Sequence, residues 1–98
     1  MALHTLNRPP GDTTCVTRCL DAIADGDALI LIEDGVYVAL PGHQALFSAL
    51  PGNVSLNVLS VDLDARGISD KIQSVFNRVD DAGFVELACL HDKVISWF

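Results

Sequence analysis

Positive charge is scarce in this chain. Six Lys and Arg stand against thirteen Asp and Glu, a net charge of −7. Phosphate backbones and anionic lipid surfaces are held by clustered cations. The six here are dispersed, which argues against nucleic acid or an acidic membrane as a direct partner. Long apolar runs are missing too: Ala28–Ile32 and Val36–Leu40 each reach five residues, against about 20 for a bilayer-spanning helix. Nucleotide and hydrolase signatures are absent, with no G-x-G-x-x-G, no P-loop and no G-x-S-x-G. His4, His43 and His91 lie far apart, and no Cys or Asp spacing completes a zinc set. No metal and no cofactor are expected, and the histidines are expected at a strand edge, in a loop and at a helix end. Cysteine is limited to three, an odd number in no disulfide-framework spacing. The stretch MALHTLNRPP has neither the charged n-region nor the apolar h-region of a secretory signal. The expected compartment is therefore the cytoplasm, with reduced thiols.

What is present is apolar. Half of the 98 residues are hydrophobic, too many for disorder and enough for one domain spanning 1–98. At this size a chain buries roughly 60–70% of its unfolded surface. The centre of the pattern is Asp27–Leu40, DALILIEDGVYVAL. Its aliphatic run Ala28–Ile32 has no polar alternation, which predicts a strand covered on both faces. Gly35 is expected to turn the chain through a positive φ at that strand's carboxyl end. Ligand and partner sites of open α/β sheets gather at that end.

In chain order, Ala2–Asn7 reads as a first strand, stopped by Pro9 and Pro10. Asp12 is a good N-cap, with Thr13 or Thr14 as rivals, for a helix to about Ala24. Val16, Cys19, Leu20 and Ile23 make one apolar stripe on it. Val36–Leu40 favours a short helix, and His43–Ala49 has helical spacing. Val54–Val61 is the third strand. Asp62 is expected to cap a helical piece that ends at Gly67, and Ser69 to cap another. Ser74–Val79 is the fourth strand. Asp80 or Asp81 caps a helix over about Ala82–His91 that is apolar almost all round, so it is expected to be buried, in the core or against another subunit. Lys93–Phe98 is a last strand. The order β-α-β-α-β-α-β-α-β predicts an α/β fold with a five-stranded, mostly parallel sheet and helices on both faces.

The reactive side chains are few. Cys19 lies on the apolar stripe of the first helix, which suits a buried small hydrophobe; as a thiol it would instead carry sulfur as a persulfide, which needs thiolate and access. Cys15 stands nearer the helix N-terminus, where the dipole lowers a thiol pKa more. Their i, i+4 spacing leaves the β-carbons about 5–6 Å apart, too far for a disulfide. Cys89 is expected in the core. Glu33 and Asp34 could act as an acid/base pair, but adjacent carboxylates at a turn are more often solvated or capping, and nothing else is expected to assemble around them. Trp97 and Phe98 either close the core or join an oligomer interface.

An ordered set of motifs carries the chain further. Leu3-His4-Thr5-Leu6-Asn7-Arg8 before Pro, then Gly26–Tyr37, Asp62-Leu63-Asp64-Ala65-Arg66-Gly67, Val79-Asp80, Gly83-Phe84-Val85-Glu86-Leu87 and Ser96-Trp97 together resemble the TusB/DsrH family over nearly the whole length. The resemblance implies a cytoplasmic sulfur-relay subunit. It implies a heterohexamer with TusC/DsrF-like and TusD/DsrE-like sister subunits, two copies of each, and a downstream sulfur-acceptor protein. The principal sulfur-accepting cysteine would belong to the TusD/DsrE-like partner. The expected destination of the sulfur is 2-thiouridine at the tRNA wobble position, with dissimilatory sulfur oxidation as the alternative branch. Cys19-Leu20 matches the first-helix cysteine of DsrH-like members, so the resemblance favours Cys19 over Cys15 as a persulfide carrier. Two other classes remain: a free-standing thiol transferase acting through Cys19, and a small-molecule module at the Asp34-Gly35 turn.

Overall fold

The computed structural model describes residues Met1–Phe98. Five parallel strands form one sheet: β1 (Ala2–Leu6), β2 (Ala28–Leu31), β3 (Ser55–Leu59), β4 (Asn77–Val79) and β5 (Lys93–Trp97). Their order across the sheet is β4-β3-β2-β1-β5. Three α-helices join them: α1 (Thr13–Ala22), α2 (Ser60–Ala65) and α3 (Asp81–Leu90). Between β2 and β3 the chain makes two 3₁₀ stretches, Glu33–Ala39 and Pro41–Phe47. The expected α/β architecture is the observed one.

The aliphatic run falls in the middle. All four residues of β2 are fully buried, because β1 and β3 flank it and both of its faces are covered. Each such Leu or Ile contributes about 1.5–3 kcal/mol by leaving water. The larger core lies on one face, where Leu29, Leu31 and Val58 meet Val16, Cys19, Leu20 and Ile23 of α1, the 3₁₀ residues Val36 and Val38, and Leu63 of α2. On the other face, α3 alone packs through Phe84, Leu87 and Ala88 against Leu3, Ala28 and Ile30.

Helix boundaries follow local hydrogen bonding. Asp12 caps α1, its side chain accepting from the Cys15 N–H at 3.2 Å, and Asp80 caps α3 through the Gly83 N–H at 2.7 Å. Gly67, at φ +68, closes α2, with the Ile68 N–H returning to the Leu63 carbonyl at 3.2 Å. This is the left-handed helix stop that glycine favours.

Several boundaries differ from expectation. β3 ends at Leu59 and α2 already starts at Ser60, so Asp62 lies inside the helix instead of capping it. β4 spans three residues, because the chain before it turns through Gln73, whose N–H and side-chain amide bond the Ala39 and Leu40 carbonyls at 2.9 and 3.0 Å. Residues after Ser69 form turns, not a helix. Pro41 begins a second, separate 3₁₀ stretch after the first has ended at Ala39. Of the two burials expected for the last helix, the core one is not found: α3 has no fully buried residue, since the sheet covers only one of its sides. Cys89, expected in the core, is on its outer side and exposed.

Gly35 is needed for a different reason from the one its sequence context suggests. The positive φ belongs to Glu33 (φ 50), not to Gly35. Gly35 lies against the end of β1, where an added Cβ would stand 2.1 Å from the Leu6 carbonyl oxygen. That oxygen already accepts from the Ile32 N–H at 3.0 Å, so the backbones are locked at this distance. Gly35→Ala is expected to lose about 2–3 kcal/mol, the scale of overpacking a tight site, measured by urea unfolding. Gly42→Ala, with nothing within 4 Å of the new methyl, should stay within about 0.5 kcal/mol, as surface changes do.

Candidate functional site

Three of the sequence motifs meet in one buried chain of hydrogen bonds. Asp27 precedes β2, His4 is in the middle of β1 and Trp97 ends β5. His4 is 1% exposed and Asp27 7%. Asp27 Oδ1 accepts from the Ala2 N–H at 2.9 Å, and Oδ2 accepts from the Ala24 N–H at 3.0 Å. His4 Nε2 stands 2.9 Å from the same Oδ2. The Trp97 indole donates to His4 Nδ1 at 3.1 Å. An indole N–H can only donate, so Nδ1 is the acceptor and Nε2 carries the hydrogen that Asp27 receives. His4 was expected at a strand edge. Instead β5 pairs along β1 and encloses it.

Burial opposes the charge on Asp27, but the Ala2 and Ala24 amides and His4 outweigh it and hold its carboxyl well below the usual range. A depressed acid contributes stability above its unfolded pKa, and that contribution disappears as pH falls. Nothing in this cluster faces an open cavity, and its work is structural: it ties three segments together.

At the carboxyl ends of β2 and β3 a second cluster forms around the turn. Arg66 Nη2 donates to Asp34 Oδ1 at 2.9 Å, and Arg66 Nη1 donates to the Asp62 carbonyl at 3.2 Å. Asp62 Oδ2 accepts from the Glu33 N–H at 2.6 Å, which holds Glu33 in its left-handed conformation. Asp34 is therefore engaged through its carboxylate and Glu33 through its backbone N–H, against the expectation that nothing assembles around them. The sequence signal was the Asp62–Arg66 spacing of four, which puts both on one side of α2. Asp34 is spoken for by Arg66, and no groove opens at the Asp34-Gly35 turn. The larger concavity, about 830 Å³, lies elsewhere, between Pro41–Ser48 and Gln73–Val75.

The thiols sit in three different environments. Cys19 is fully buried among Val16, Leu20 and the sheet, and burial pushes its thiol up to about 12, with Cys15 nearby adding to the shift. Cys15 is half-buried in the first turn of α1, and Cys89 is exposed on α3. No group of three or more His, Cys, Asp or Glu side chains comes together as a metal set. No helix is long and apolar enough to cross a membrane.

Fold and side chains define a small all-parallel α/β protein with a closed polar anchor and one outer helix left apolar. Comparison with known proteins places it more closely. Residues 9–94 match the DsrH family, described as DsrH like protein. Protein TusB of Pectobacterium parmentieri is 36% identical over 97 residues, covering 97% of this chain and 99% of that protein. Protein TusB of Escherichia coli O81 (strain ED1a) is 34% identical over 95 residues, with the same coverage. The chain belongs to the TusB/DsrH family.

Two measurements check this description. Asp27→Ala should cost about 3–5 kcal/mol at neutral pH, because the Ala2, Ala24 and His4 N–H groups lose a buried acceptor at about 1–3 kcal/mol each. In the wild type that contribution should hold above the unfolded value of 3.8 and fade as pH falls from there through the much lower folded value, so denaturation curves of wild type and variant should approach each other in acid. Separately, timed alkylation of the folded chain should modify Cys89 first, Cys15 next, and leave Cys19 untouched until denaturant is added. Early modification of Cys19 would show that α1 opens readily.

Proposed function

We propose that this chain is a cytoplasmic subunit of a sulfur-relay assembly, in which persulfide sulfur passes between proteins on its way to 2-thiouridine at the tRNA wobble position. Family membership over nearly the whole chain is the observation that carries the reading. The partners are two sister chains, TusC/DsrF-like and TusD/DsrE-like, in a heterohexamer with two copies of each. A downstream acceptor protein takes the sulfur from the complex. The acidic surface fits a protein that contacts proteins, leaving tRNA to a later component.

Residues 1–98 act in this reading as one accessory domain, and the primary sulfur-accepting thiol is a partner's. Cys19 carries sulfur only in a conformer in which α1 lifts from the sheet, because a thiol held near 12 supplies almost no thiolate at neutral pH. The DsrH side of the family supports a second destination, a dissimilatory sulfur-oxidation relay, with the same assembly and a different acceptor.

Co-expression with the two sister chains from the same genome tests the assembly. The expected result is one complex, of about six chains, on a sizing column with mass detection. A chain that remains alone in the presence of both would overturn the reading. A persulfide donor added to the reconstituted complex then tests the thiol: mass gain of one sulfur on the TusD-like chain is expected, and gain on this chain that disappears in Cys19→Ser would restore Cys19 as a carrier.

A further inference from the structure

We infer that the outer side of α3, continued by the neighbouring side of β5, is a docking surface for a partner of different sequence that presents an apolar ridge bordered by Lys and Arg. The inference rests on the assembly proposed above and assigns its contact surface on this chain. One side of α3 packs on the sheet through Phe84, Leu87 and Ala88. The opposite side presents Ala82, Val85, Cys89 and Leu90 to water, with Val85 at 63% and Leu90 at 73% exposure. Val94 of β5 pairs with Leu3, whose side chain lies under α3, so Val94 is on the same face of the sheet and is itself exposed. Leaving several apolar side chains of one helix side in water is unfavourable, and clusters of this kind mark contact surfaces.

Charge decides which occupant fits. Between Arg78 and Lys93 the chain has no Lys or Arg, but it has Asp80, Asp81, Glu86 and Asp92, all exposed; Asp92 pairs with the Met1 ammonium at 2.9 Å and Asp80 caps α3, so Asp81 and Glu86 are the acids left for a partner. Glu86 stands within the apolar strip, one turn from Ala82 and Leu90. A two-fold contact between copies of this chain would set these acids against their own counterparts, and like charges opposed across an interface are costly. A partner whose rim carries Lys or Arg satisfies both the apolar strip and the acids around it. The remaining exposed hydrophobics, Met1, Leu46, Val61, Val75 and Phe98, are spread over separate segments, and only Val61, beside Asp62 and Asp64, has acids close by in its own helix.

Hydrogen exchange and binding by the full-length chain with the purified sister subunits test this. Amides of α3 should slow at least tenfold in the complex. Val85→Asp and Glu86→Lys, both at exposed positions, should keep the wild-type melting temperature of the free chain and weaken binding at least tenfold, and the Glu86→Lys complex should lose much of its salt dependence. If the wild type assembles while α3 exchanges unchanged, or Val85→Asp binds fully, the surface assignment fails and the assembly stands. Homodimers of the free chain that Val85→Asp dissolves would replace the partner with a second copy and overturn the inference. A wild type that binds neither sister chain overturns the proposed function, and this surface with it.

Discussion

The two carboxylate oxygens of Asp27 receive hydrogens from Ala2, Ala24 and His4. These come from the first strand, the turn after the first helix and the middle of the first strand again. Burying a carboxylate is costly unless its lone pairs are filled, and here they are filled by groups that can reach it only when β1, α1 and β2 stand in register. His4 extends the link to Trp97, and so to β5. The position of α1 against the sheet, the pairing of β1 with both neighbours and the enclosure of Cys19 all follow from that arrangement.

The contrast between the two faces of the sheet explains the balance between a closed core and an open flank. On one face, α1, α2 and the 3₁₀ stretches form a continuous apolar layer. On the other, a single ten-residue helix covers a smaller cluster. The family to which the chain belongs is one of sulfur-relay subunits.

Much of this was legible in the residues. The run Ala28–Leu31 has no polar break, and only a central strand buried on both faces suits it. The stripe Val16-Cys19-Leu20-Ile23 specified the side of α1 that faces the core. Features set by distant partners were not legible. Gly35 is required by the Leu6 carbonyl, 29 positions away, so its local context pointed to the wrong backbone angle. His4 is enclosed by β5, which pairs with β1 across more than 80 residues. Cys89 and the outside of α3 could be read as apolar, but composition alone does not tell an inner layer from a contact surface. Arg66 stands in the Asp62–Gly67 motif, but its grip on Asp34 depends on how α2 leaves β3.

The strand order has a kinetic corollary. β1 is sandwiched between β2 and β5, so one of its edges has its proper neighbour early in synthesis and the other only after Lys93–Trp97 has been made. Contacts between segments so far apart are slow to form, because the loop entropy comes first. Until Lys93–Trp97 has been made, the growing chain therefore carries a bare strand edge on β1, the kind of edge that invites wrong pairing. The order in which the sheet is laid down thus leaves one side of β1 exposed to error until the last strand arrives.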